Sequence, residues 1–112
     1  MRTSYDSGLA GESAAREYLE KKGYKFVASR WRCPYGEIDL VMKMKGTIVF
    51  VEVKVGAGSI GSGAERIDSR KLLRLTRSAD AYLRENCPSA LYRLDAVEVR
   101  PDGVSHWENL TI

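Results

Sequence analysis

This chain of 112 residues holds one histidine, two cysteines and three prolines. With the lone histidine, His106, a histidine-rich metal site and a cysteine–histidine pair with a third partner are both poorly supplied. Cys33 and Cys87 lie far apart without CxxC spacing, which argues against a disulfide framework and for a reducing compartment. No stretch approaches the roughly 20 apolar residues of a membrane span. The opening MRTSYDSGLAGE has no apolar core of a secretory signal, so no membrane partner and a cytoplasmic location are expected. Repeats, linkers and low-complexity tracts are absent too. One domain over residues 1–112 is the expectation. Charge is not one-sided: 18 basic against 15 acidic residues leave a net +3. That balance mildly favours a polyanionic partner and proves little alone.

What is present centres on residues 36–55, GEIDLVMKMKGTIVFVEVKV. Ile, Val, Phe and Thr dominate, and Lys45-Gly46 sits where a two-residue hairpin loop falls. With that loop, the side-chain period of two sets Ile38, Leu40, Met42 and Met44 opposite Val53, Val51, Val49 and Thr47, an apolar face. The other face is mixed. Asp39 falls across from Glu52 and Glu37 across from Lys54, with Val41, Ile48 and Phe50 beside them. Opposed carboxylates repel, more so when covered, and call for a compensating charge. A hard dication such as Mg²⁺, held by one or two carboxylates plus phosphate oxygens, supplies it. Asp39, Glu52 and Lys54 thus form a constellation for metal-assisted phosphodiester cleavage. A solvated strand face with an ordinary Glu37–Lys54 pair is the plainer reading; it accounts poorly for Asp39 opposite Glu52.

The flanking elements come in the order α-β-β-β-α-β-β. A helix is expected over Ser7–Lys22, with Ser7 as N-cap, Gly23 as its stop and Ala15, Tyr18, Leu19 and Lys22 as its inner stripe. Glu12 projects from that stripe. A first-turn glutamate favoured by the helix dipole and paired with Arg16 is its structural reading. Tyr24–Arg30 reads as a strand. Arg30-Trp31-Arg32 follows, and two readings stand for it: a phosphate or base contact, or a strand end with Trp31 packed on the core. Val55–Ala64 has four glycines in ten residues. Its Gly56-Ala57-Gly58-Ser59-Ile60-Gly61 matches GxGxxG in letters only, since no helix follows directly and no second βαβ unit exists. A loop beside the site is the reading. Residues 66–86 read as the longest helix, with Asp68 as N-cap and Leu72, Leu75, Ala79, Tyr82 and Leu83 buried. Arg70, Arg74 and Arg77 form a basic row on it, near Lys71. Leu91–Arg100 is a fourth strand, Pro101-Asp102-Gly103 a turn, and Val104–Leu110 a last strand.

The run Gly36-Glu37-Ile38-Asp39-Leu40, followed by Phe50-Val51-Glu52-Val53-Lys54, resembles the YraN-type family of small bacterial proteins. That family is placed in the restriction-endonuclease-like superfamily with the PD-(D/E)xK motif, and archaeal Holliday junction resolvases are similar in layout. The chain departs from the pattern in lacking a proline before Asp39, an arginine shortly after Lys54 and an asparagine near Trp31. The resemblance implies an α/β fold, a mixed central sheet with helices on both faces. It implies a metal-dependent endonuclease acting on DNA, branched or single-stranded, with Mg²⁺ or Mn²⁺ on Asp39 and Glu52. Gly11-Glu12 matches a helical glutamate that joins the metal site, and Lys71 matches a lysine near it. Lys54 completes the catalytic set with Asp39 and Glu52. The nucleic-acid contacts expected are Lys71, Arg70, Arg74, Arg77, Arg30 and Arg32. Arg93-Leu94-Asp95 resembles a family tripeptide read as structural pairing. The alternatives are a non-catalytic nucleic-acid-binding protein or a structural partner in DNA processing; a homodimer is left open.

Overall fold

Thr47–Val55 is the most apolar strand of the sequence and lies at the centre of the molecule, with Val49, Phe50 and Val51 fully buried. The computed structural model describes residues 4–56 and 69–110, with side chains from Ala10 onward. The elements are α1 (Ser4–Lys21), β1 (Lys25–Cys33), β2 (Gly36–Met44), β3 (Thr47–Val55), α2 (Ser69–Asn86), β4 (Leu91–Arg100) and β5 (Gly103–Trp107). This is the expected order. The sheet runs β1-β2-β3-β4-β5, antiparallel throughout except that β3 and β4 pair in parallel. A parallel pair needs a crossover, and α2 lies within that connection.

Each face of the sheet carries one helix. Ala15 and Leu19 of α1 pack with Tyr24, Leu40, Met42, Val49, Val51 and Val97. Leu75, Ala79, Tyr82 and Leu83 of α2 pack with Ile38, Val41, Ile48, Phe50 and Leu94 on the opposite face. The stripe expected on α2 is therefore the buried one, with Ser78 added and Leu72 partly covered. Trp31 stands edge-to-face on Tyr82 at 5.2 Å, so of its two readings core packing is the observed one.

Several boundaries differ from expectation. Helix α1 starts at Ser4, so Ser7 lies inside it and not at its N-cap position; no proline interrupts that stretch. Its other end is as expected. Gly23 has φ 97°, its N–H reaches the Glu20 carbonyl and the Tyr24 N–H reaches the Leu19 carbonyl, both at 3.0 Å. This is a Schellman stop, in which Tyr24 and Leu19 also share a core cluster. Strand β1 runs on to Cys33 because Cys33 pairs with Gly36 across a tight Pro34-Tyr35 loop. Strand β5 stops at Trp107; Asn109 adopts φ 56° and turns its N–H to Asp95 instead. The glycine-rich loop expected over Val55–Ala64 lies, from residue 57 on, outside the described residues, as does the Asp68 cap. Among the described residues no helix is long and apolar enough to cross a membrane.

Candidate active site

The hairpin register is as read from the sequence, but only in part. Lys45 and Gly46 both have positive φ, 48° and 83°, the two-residue turn that suits twisted strands. From there Met44↔Thr47, Met42↔Val49 and Leu40↔Val51 pair as expected. The ladder ends at Leu40↔Val51, so neither Asp39↔Glu52 nor Glu37↔Lys54 is a cross-strand pair. Two distortions in β1 explain the departure. The register shifts between Phe26 and Ala28, and Arg30 holds φ 50°, which few side chains tolerate. Ile38 consequently packs on the α2 face while Leu40 packs on the α1 face. Freed from the ladder, the Asp39 carboxylate turns inward and accepts the Val53 N–H at 2.8 Å.

That bend opens a cavity of about 310 Å³ at the end of the sheet. Glu37 and Asp39 line it from β2, Glu52 and Val53 from β3, and Lys71, Arg74, Leu75 and Ser78 from α2. Burial, the nearby charge of Glu52 and a hydrogen bond to the Glu52 carboxyl push the Asp39 carboxyl up to about 8, against the Val53 N–H. Burial, then the neighbouring Lys71, lowers the pKa of Lys54, against the pull of Glu52 and Asp39. Glu12 arrives from α1 because Gly11 lets the helix close on β3. A methyl group at Gly11 would collide with Val55. Burial raises the Glu12 carboxyl, and its bond to Arg30 opposes that rise.

The family model described as Uncharacterised protein family UPF0102 matches residues 11–99. The chain belongs to this family. A UPF0102 protein of Neisseria gonorrhoeae (strain NCCP11945) is 41% identical over 114 residues, covering 99% of each chain. Another from Thermotoga petrophila is 41% identical over 99 residues, covering 88% of this chain and 91% of its own. One from Fervidobacterium nodosum is 37% identical over 102 residues, covering 88% and 77%. The match to UPF0102 takes in Glu12, the hairpin and α2, and so every residue assigned above to the site.

Within this UPF0102 chain, Asp39 and Glu52 do meet, through the bend and not through the ladder. The expected metal set was Glu12, Asp39 and Glu52. Among the described residues the carboxylates that gather within 4.8 Å of one another are those of Glu12, Glu37 and Asp39. Glu37 was missed because it was assigned to Lys54. Its partners are Arg32, at 2.9 Å, and Arg30, at 4.0 Å. Glu12 pairs with Arg30 at 2.9 Å and not with Arg16, which pairs with Glu20. Arg74 and Lys71 line the cavity, whereas Arg70 and Arg77 are exposed beyond it. Sharing a parity with Asp39 on β2 was the one sequence signal that pointed to Glu37.

Proposed function

We propose that the protein is a metal-dependent endonuclease of the restriction-endonuclease-like superfamily, hydrolysing phosphodiester bonds in DNA, branched or single-stranded. One observation carries the reading. Two carboxyl groups are pressed together at the half-buried end of the sheet, with Lys54 and Lys71 beside them and a cavity in front. Burial and the charge of Glu52 hold the Asp39 carboxyl up to about 8, a costly arrangement unless function uses it. The donor set fits Mg²⁺ or Mn²⁺: every candidate ligand is a carboxylate oxygen, the hard donor these ions prefer. Asp39 and Glu52 would hold the ion with Glu12 in support, and Glu37 is within reach of two of them. Such an ion activates water and neutralises charge on the scissile phosphate.

The chain's own groups do the rest. Lys54, its ammonium weakened by burial and by Lys71, orients the water and donates to the phosphate as charge develops. Lys71 and Arg74 hold phosphate oxygens inside the cavity, and Arg70 and Arg77 meet the backbone farther along α2. Arg30 and Arg32, paired with Glu12 and Glu37, meet the nucleic acid beside these carboxylates. Cytoplasmic location and a DNA partner belong to this reading; whether two copies associate is read by sedimentation of the same preparations. The second reading, a nucleic-acid-binding protein without catalysis, draws on the basic row of α2.

A panel of branched, flapped and linear DNAs, incubated with Mg²⁺, Mn²⁺ or chelator, tests the first reading. Lys54→Ala should lower turnover by orders of magnitude with little loss of affinity, as for a group that acts in the transition state. Removing Arg70, Arg74 and Arg77 together should weaken binding and flatten its salt dependence by roughly one log-log unit per lost contact. No cleavage of any DNA by the wild type, with Lys54→Ala behaving like the arginine variant, would leave the binding reading standing.

A further inference from the structure

Arg30 of β1 reaches two carboxylates of the acidic cluster at once. Its guanidinium Nε donates to Glu12 Oε2 at 2.9 Å, and its Nη1 stands 4.0 Å from Glu37 Oε1. The three side chains are only 24%, 13% and 30% exposed. Arg32, 78% exposed, takes the other oxygen of Glu37 at 2.9 Å and leaves Oε1 turned inward. Arg30 does this from a backbone with φ 50°, a conformation that costs a non-glycine residue free energy unless its surroundings hold it. The ion pair with Glu12 is part of what holds it.

We infer that Arg30 is an internal counter-cation, occupying Glu12 and Glu37 in competition with the divalent ion and so setting how tightly that ion binds. The inference rests on the metal-dependent reading above. A guanidinium and a dication seek the same carboxylate lone pairs, and Glu12 Oε2 cannot serve both at full strength. Like charges brought this close in a half-buried site also repel with little screening. Arg30 therefore stabilises the gathered carboxylates while no ion is bound, and opposes the ion that would replace it. It acts through Glu12 and Glu37, and is a positioning residue.

The test is Mn²⁺ binding by isothermal titration calorimetry, with melting temperatures in chelator and in saturating Mn²⁺. Arg30→Asn is the informative variant. Asparagine tolerates positive φ, carries no charge and is too short to reach Glu12. It should bind Mn²⁺ roughly tenfold more tightly, within the usual range of coupling between interacting sites. Its melting temperature should fall below wild type in chelator, and Mn²⁺ should close that gap. A purely structural arginine would lower both melting temperatures alike and leave the affinity unchanged. Should Arg30→Asn not fold, Arg30→Gly, free at this φ, is expected to behave the same way. Arg84→Gln is the control and should change affinity less than twofold, since Arg84 is exposed and pairs with Asp80 on α2. Equal or weaker Mn²⁺ binding by the Arg30 variants, with the wild type binding normally, overturns this inference alone. Absence of Mn²⁺ binding by wild type and variants together would remove the metal reading and this inference with it.

Discussion

Two aspartates lie in this sheet with opposite fates. Asp95, on β4, is completely buried. Burial alone would raise its carboxyl, but hydrogen bonds from His106, Arg93 and the Asn109 N–H outweigh it and hold the pKa below the ordinary value. Arg93 grips both carboxylate oxygens, at 2.8 and 2.9 Å, and also reaches the Tyr24 hydroxyl. The Lys22 ammonium can only donate to His106 Nδ1, 2.8 Å away, so the ring's proton sits on Nε2 and is given to Asp95 at 2.7 Å. Asp39, on β2, is pushed up to about 8: burial raises it first, the charge and hydrogen bond of Glu52 add to the rise, and one N–H, from Val53, opposes them. Burial raises both acids, and the partners supplied to each decide whether that rise is overcome. Around Asp95 the chain supplies them in full. Around Asp39 it supplies another acid, which is how a structural ion pair and a candidate site can be told apart on one sheet.

The largest break in this comparison is Asp95→Asn. Arg93 and His106 would stay half-buried or buried around a neutral amide, and breaking such a network costs on the order of 3 kcal/mol. Denaturant unfolding at neutral pH reads it. The sign with pH follows from the lowered carboxyl. Asp95 contributes stability above the unfolded carboxylate range, and that contribution is lost as pH falls through its depressed native pKa. The difference between wild type and variant should therefore shrink towards low pH. A loss under about 1 kcal/mol would mean that the network is no stronger than a surface pair.

Asp39→Asn should move the other way. A native pKa raised to about 8 against 3.8 means that the folded state holds a proton the unfolded state has released across that window. Folding stability then declines as pH rises from about 4 to 8. At about 1.4 kcal/mol per pK unit, and with relaxation around the charge, the decline should be on the order of 3 kcal/mol. Asparagine removes the titration, so in chelator the variant should be the more stable protein above pH 8 and should show a flatter pH profile. In the wild type, millimolar Mg²⁺ or Mn²⁺ should recover stability at that pH, and Asp39→Asn should abolish the response.

The sequence made the hairpin, both helices and β4 legible, because each rests on local signals. Those are the Lys45-Gly46 turn, the apolar period of two, the Gly23 stop and the stripe on α2. The Arg93–Asp95 pairing came from the family resemblance. Asp39 and Glu52 were expected side by side from a ladder that ends one pair short of them; they meet through the bend instead. What stayed hidden is where the period of two breaks. Nothing in Tyr24–Arg32 announces a register shift at Val27 or a left-handed Arg30, and those two events end the β2–β3 ladder. A ladder continued past Leu40 pairs Glu37 with Lys54, whereas the structure pairs it with Arg32, and no spacing marks Arg30 as the partner of Glu12. Contacts between α1, β1 and β2 are tertiary, and no spacing along the chain encodes them.

The smallest effect gives the finest test of the contrast. Of the causes that raise the Asp39 carboxyl, burial comes first and the charge and hydrogen bond of Glu52 follow. Glu52→Gln removes the second and leaves the first. If that ranking holds, the Asp39 pKa, followed by carboxyl-carbon NMR, should fall from about 8 yet remain above the ordinary 3.8. Stability in chelator at neutral pH should rise by no more than about 1 kcal/mol, the lifting of one repulsion near the surface. A fall of Asp39 to the ordinary value would mean that Glu52 alone raises it and that the cavity is wet enough to solvate a lone carboxylate. A loss of more than about 2 kcal/mol would mean that Glu52 is a structural acceptor for a buried partner. Asp39 would then resemble Asp95 more closely than its raised pKa implies, and the hairpin end would be a second braced pair of the kind seen on β4.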